Sequence, residues 1–119
     1  VTQHRKPWFG EFTNARHACR CFFTDSVRMH GDTLAFVVMP DHIHWLIQVE
    51  GDLSEAVRIY KARVSLALGM KPWQRGFHDH GLRREEDLRA VARYIIANPL
   101  RAGLVNNVLD YPYWDAAWL

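Results

Sequence analysis

Residues 33–49, "TLAFVVMPDHIHWLIQV", restrict the possible folds more than any other stretch of the chain. The first half, "TLAFVVMP" (33–40), is rich in β-branched residues and apolar almost throughout, which suits a central strand. Pro40 and Asp41 then punctuate a turn. In the second half, "HIHWLIQV" (42–49), sides alternate: Ile43, Trp45, Ile47 and Val49 share one face, and His42, His44, Leu46 and Gln48 share the other. So short a connection makes the two strands an antiparallel hairpin.

The rest of the chain supplies elements to lay against that hairpin. "FTNARHACRCFFTDSVRMHG" (12–31) reads as helix with Gly31 as its stop. "DLSEAVRIYKARVSLALG" (52–69) is amphipathic, with Val57, Tyr60, Val64 and Leu68 as the apolar stripe and Gly69 as its end. "EEDLRAVARYIIANP" (85–99) has acids in its first turn and a stop before Pro99. Its core-facing stripe is Leu88, Val91, Ala92 and Ile95. "WQRGFHDHGL" (73–82) reads as a short extended segment or loop, and "VLDYPYWDAAWL" (108–119) as a final turn or short helix. Val1–Gln3 reads as the end of a strand whose start is missing. The order β-α-β-β-α-(β)-α predicts an α+β, ferredoxin-like sandwich: an antiparallel sheet with helices mainly on one face and a truncated first strand. At 119 residues this is one domain, residues 1–119.

Composition narrows the class. With 49% hydrophobic residues the chain can bury a core. No apolar run approaches the ~18 residues of a membrane helix. Cys19 and Cys21 fall on one predicted helix about 200° apart, poorly placed to pair or to share a metal, and read as reduced cytosolic thiols. The chain opens at Val1 rather than methionine and reads as a partial sequence, so a missing leader proves little. A formal charge of +2 does not demand a nucleic-acid partner. Its distribution is lopsided, however: Arg75, Arg83, Arg84, Arg89, Arg93 and Arg101 crowd one stretch, partly offset by Asp79, Glu85, Glu86 and Asp87.

Two constellations could carry chemistry. His42 and His44, i and i+2 on a strand, share a face roughly 6.5–7 Å apart at Cα. Two imidazoles so placed can converge on one ion, or can equally be a hydrogen-bonded pair without metal. On the late helix Tyr94 and Asn98 are i and i+4, neighbours to one side of the core stripe. They sit where a phenol and a carboxamide could meet the sheet-borne histidines, or where a half-buried tyrosine and a helix-end asparagine could simply pack. A second pair, His78 and His80 in "FHDH", could complete a four-histidine zinc site, lie along a phosphate path, or cover the sheet edge. His17, Cys19 and Cys21 are poorly spaced for a joint site.

In combination, "VVMPDHIHWLIQ", "WQRGFHDHGLRREEDLRAVARYIIANPLRAGLV" and "YPYWDAAWL" resemble the REP-associated tyrosine transposases, single-strand transposases of the HUH superfamily. The resemblance runs from about residue 8 to the end of the chain. It implies a metal-dependent endonuclease and strand transferase acting on single-stranded or hairpin DNA near repeated palindromic elements, in the cytoplasm and at the nucleoid when on DNA. His42 and His44 match the paired histidine ligands, Tyr94 the nucleophile that forms a 5′-phosphotyrosine link, and Asn98 the polar residue completing the metal site. The mixed imidazole and carbonyl donor set favours Mg²⁺ or Mn²⁺. No nucleotide cofactor is implied, since phosphodiester energy is conserved in the link and no P-loop is present. Candidate DNA-binding residues are Lys61, Arg75, His78, His80, Arg84 and Arg101, with Arg58 and Arg83 beside them and Trp73 or Phe77 for base stacking. The alternative is a non-catalytic module that retains the fold and binds hairpins. A metal hydrolase of another class is a third reading.

Overall fold

A computed structural model describes residues 1–79, 81 and 85–117. His80, Arg83 and Arg84, named above as DNA-binding candidates, lie outside the described residues. The hairpin forms as the sequence reads: β1 (Gly31–Val38) pairs antiparallel with β2 (Ile43–Val49), with Val37 opposite His44 and Val38 opposite Ile43. The register shifts between Thr33 and Ala35, so one extra residue, Leu34, sits in β1 as a bulge. A third strand, β3 (Trp114–Ala116), pairs antiparallel with the other side of β1. The sheet order β2-β1-β3 makes β1 central, which explains its nearly unbroken apolar run.

Each face of the sheet packs its own core. Phe36, Val38, Ile43 and Trp45 meet Phe22, Tyr60 and Val64, brought in by α1 (Phe12–Cys21) and α3 (Leu53–Leu68). Phe22 stacks between Phe36 and Tyr60, with ring centroids 4.2 Å away on each side. Such offset pairs contribute about 0.5–1.5 kcal/mol beyond area burial. The buried Tyr60 hydroxyl donates to the Ala18 carbonyl at 2.9 Å, tying α3 to α1. On the opposite face Ala35, Val37, Met39 and Leu46 meet Ala92 and Ile95 of α4 (Glu85–Ile96). The α+β sandwich is therefore as expected, with one refinement: α1, α2 (Asp25–Arg28) and α3 lie on one face while α4 takes the other. Since His44 shares the Val37–Leu46 face, α4 is the helix that can reach it.

Three local expectations are corrected. Residues 12–31 are not one helix: the chain breaks after Cys21, because Phe22 is pulled into the core, and restarts at α2 behind Thr24. The 85–99 helix ends at Ile96, and Asn98 begins a separate turn, α5 (Asn98–Arg101), with Pro99 near its start where the missing N–H costs nothing. The tail forms a strand rather than a final turn or helix; three residues are too few to show a period, and β3 exists because β1 offers it a ladder. Val1–Gln3 contribute a single bridge, Thr2 to Trp73, so the 73–82 segment is indeed extended where it begins. Thr2 is fully buried, and its hydroxyl donates to the carbonyls of Lys6 and Asp41.

Gly31 opens β1 where no side chain fits. A Cβ there would lie 2.5 Å from the Gln48 carbonyl oxygen, at a φ of +157° that side chains rarely adopt. Gly31→Ala is expected to cost roughly 1–3 kcal/mol of stability, read as a lower urea midpoint. An unchanged midpoint would show that the β1–β2 ladder yields there without cost.

Candidate active site

The turn between β1 and β2 positions the histidines. The Met39 N–H donates to the His42 carbonyl at 2.8 Å and closes the hairpin. His42 thus sits at the mouth of β2 and His44 inside it. Their rings are 4.9 Å apart at the centroids and nearly perpendicular, 88° between planes. Beside them Asp41 Oδ1 lies 2.6 Å from His42 Nδ1, while Asp41 Oδ2 pairs with Arg5 Nε at 3.2 Å. Partial burial opposes ionisation of Asp41, but the His42 hydrogen bond, the His42 ring and Arg5 outweigh it and hold the carboxyl below its ordinary range.

His44 is half-buried. Burial first, then the neighbouring His42 and Arg101, push its pKa down to about 4. At pH 7 the ring is therefore neutral with a lone pair to give. In the unfolded chain a histidine takes up its proton near pH 6.5. Between that pH and 4 the unfolded state therefore binds more protons, and stability falls as pH falls. After discounting for the partly exposed ring, the effect is on the order of 1–2 kcal/mol. His44→Gln, which cannot titrate, should flatten this part of the stability–pH curve in metal-free denaturation at pH 7 and 4.5. A curve as steep as wild type would place the proton elsewhere.

Tyr94 stands apart from the other tyrosines. It is 63% exposed, whereas Tyr60 and Tyr111 are buried with their hydroxyls donating to the carbonyls of Ala18 and Val38. Burial raises both of those phenols, Tyr111 to about 12. Tyr94 and His44 line one cleft of about 690 Å³, which runs along the open edge of β2 between α3 and α4 and also takes in Lys61, Phe77 and His78. Arg101 connects to the same place. Its guanidinium lies 3.7 Å over the Tyr94 ring centroid, and Nη2 donates to the Tyr94 carbonyl at 2.6 Å.

The remaining candidates divide. Asn98 is half-buried; its Nδ2 donates to the Ile95 carbonyl at 3.0 Å, which leaves Oδ1 as its acceptor. Lys61 is turned onto the 73–76 loop, donating to the carbonyls of Gln74 and Gly76. Trp73 is an internal strut: its indole N–H donates to the Lys61 carbonyl and its ring packs on Phe9. Phe77, 45% exposed, is the ring left available for stacking. Arg75, with Arg58 and Lys71, borders a second and more open groove of about 1010 Å³ along α3; Arg58 is paired there with Glu55. Cys19 and Cys21 are free, and burial pushes the Cys19 thiol up to about 12. Among the described residues no three His, Cys, Asp or Glu side chains gather as a metal cluster. Asn98 Oδ1, water or a substrate oxygen could serve as a further donor beside the two imidazoles. Two neutral-capable imidazoles with such a donor fit a divalent ion that keeps open positions. The four-histidine zinc alternative includes His80 and so lies outside the described residues. Sequence reasoning missed Asp41 and Arg5 as site residues. A carboxylate next to an H-x-H pair is a legible signal; Arg5 offers none.

No family model matches the chain. Over 83 residues it is 36% identical to the REP-associated tyrosine transposase of Escherichia coli K12, covering 66% of this chain and 50% of that protein. Over 100 residues it is 32% identical to a protein provisionally given the same name in Haemophilus influenzae, covering 69% of this chain and 57% of that one. A solved structure of a REP-associated tyrosine transposase bound to a REP hairpin matches with a TM-score of 0.73 and 30% identity, covering 94% of this chain and 69% of that one. The class to which these sequence and fold matches point is tyrosine transposase. The chain belongs to the REP-associated tyrosine transposase family. It spans about half the length of the curated relatives it matches. Among the described residues no helix is long and apolar enough to cross a membrane.

Proposed function

We propose that this chain carries the strand-cleaving centre of a DNA strand transferase, with Tyr94 as nucleophile and a divalent ion, Mg²⁺ or Mn²⁺, held by His42, His44 and Asn98. The observation that carries this reading is the shared cleft: the one largely exposed tyrosine and a neutral histidine of the H-x-H pair line the same cavity at the sheet edge. The hairpin seen on the related solved structure supports hairpin or single-stranded DNA as the substrate.

Within that reading the chain's own groups divide the work. The Tyr94 phenol gives up its proton as its oxygen attacks a backbone phosphorus; the Tyr–O–P bond forms, the P–O3′ bond breaks, and the leaving oxygen takes up a proton to become a free 3′-hydroxyl, so no net proton is gained or lost. Tyr94 is left esterified to the 5′-phosphate, and a later 3′-hydroxyl attacking that ester rejoins DNA and frees the phenol. A divalent ion, when bound, withdraws charge from phosphorus through a non-bridging oxygen. Arg101 sets Tyr94 from two directions, at its backbone carbonyl and over its ring, and its remaining N–H groups offer a fixed positive charge beside the phenol. Phe77 and His78, exposed in the cleft, are suited to meet an unpaired base and a phosphate; Arg75 and Lys61 border the approach along α3.

Incubation with a hairpin oligonucleotide and Mn²⁺ tests the reading. The expected result is a protein–DNA adduct that survives denaturation. Tight hairpin binding with no adduct would instead define a non-catalytic hairpin-binding module.

A further inference from the structure

Asp41 has no part in the mechanism above, yet it is the best-braced polar side chain near the histidines. One carboxylate oxygen faces His42 Nδ1 at 2.6 Å and the other faces Arg5 Nε at 3.2 Å; the Arg5 N–H donates to the Thr2 carbonyl at 3.1 Å and the His42 carbonyl accepts from the Met39 N–H at 2.8 Å. The Asp41 carbonyl accepts from the Thr2 N–H at 2.8 Å and from the Thr2 hydroxyl at 3.0 Å. Arg5 reaches Asp41 from a backbone conformation that non-glycine residues seldom take, φ of 54°, with His4 beside it at 57°. Left-handed residues of this kind are strained and persist where surrounding contacts over-determine them. Thr2, wholly buried between the Asp41 turn and Trp73, is such a contact.

We infer that Asp41, braced by Arg5, is a positioning residue that fixes the tautomer and ring orientation of His42. A carboxylate can only accept, so His42 Nδ1 carries the hydrogen and Nε2 is left as the nitrogen with a free lone pair. A free imidazole chooses between tautomers and rotates; this one does neither. Carboxylates placed behind metal-binding imidazoles act in this way, and their loss costs 10–100-fold in metal affinity. Because Arg5 belongs to the segment pinned by Thr2, the N-terminal residues act on the site through Asp41 without entering the cleft. The inference rests on the proposed metal site, and the tests separate the two.

The first test needs no metal and no variant. In ¹⁵N-labelled wild-type protein at neutral pH, the ring-nitrogen shifts of His42 should report the Nδ1–H tautomer. The Nε2–H tautomer would overturn the inference. The second is Mn²⁺ binding without DNA, followed by the electron paramagnetic resonance signal of the free ion. Asp41→Ala should weaken binding 10–100-fold, Arg5→Ala less than about 10-fold, and Asp41→Asn, whose carboxamide oxygen still accepts from Nδ1–H, should recover most of the loss. Wild-type affinity in Asp41→Ala would overturn the inference and leave the metal site standing. No Mn²⁺ binding by wild type would instead overturn the metal site. Should Asp41→Ala not fold, the tautomer of wild type and the affinity of Asp41→Asn decide.

Discussion

Tyr94→Phe is expected to retain the fold and hairpin binding, to form no covalent adduct, and to cleave on the order of 10⁴-fold more slowly than wild type. Removing a nucleophile costs this much because no other group takes its place at the phosphorus. The alternatives are poor here: Tyr60 and Tyr111 are buried with their hydroxyls committed to backbone carbonyls, and Tyr113 is half-buried against Phe12 and Tyr111, outside the cleft that Tyr94 and His44 line. The substitution is gentle on stability. Tyr94 is an exposed helix residue, and the Arg101 guanidinium can lie over a phenyl ring as over a phenol. A change below about 0.5–1 kcal/mol is expected. Labelled hairpin oligonucleotide with Mn²⁺ on a denaturing gel reads cleavage and adduct together. Cleavage by Tyr94→Phe at the wild-type rate would point to a metal-bound water as the attacking group, and so to a hydrolase of another class.

His42→Ala and His44→Ala separate chemistry from binding. Each should lower single-turnover cleavage by roughly 10²–10³-fold, the loss of about 3–4 kcal/mol that follows removal of one preorganised charge-stabilising element. Hairpin affinity without metal should stay within about threefold, because the two rings lie at the sheet edge and offer few contacts to a duplex stem. Gel-shift titration in EDTA checks the affinity. Equal loss of binding and cleavage, with circular dichroism unchanged, would make the pair a DNA-contact element rather than a metal site.

The hairpin was readable because two independent signals agreed there. Alternation put Ile43 and Trp45 on one side and His44 and Leu46 on the other, and the Pro40–Asp41 turn set the pairing. The structure has both faces as read. Tyr94 was readable as a residue beside the core stripe by helical angle alone, and it is exposed. What could not be read is what tertiary packing imposes. Phe22 continues a helical pattern, yet the space between Phe36 and Tyr60 captures it and ends α1. Trp114–Ala116 have no period of their own and become strand by borrowing the free edge of β1. Lys61 and Arg101 look in sequence like free cations for phosphate. Through space one holds the 73–76 loop and the other lies on Tyr94. Composition shows charge; it does not show which charges are already spoken for.

The most direct measurement is the identity of the residue that DNA is joined to. Wild-type protein is reacted with a hairpin oligonucleotide and Mn²⁺, the adduct is digested with protease and nuclease, and the modified peptide is sequenced by mass spectrometry. The mechanism predicts a 5′-phosphonucleotide on Tyr94, with a free 3′-hydroxyl on the released strand. A nucleotide on Tyr60, Tyr111, Tyr113 or any non-tyrosine side chain would contradict it, as would cleaved DNA with no modified peptide.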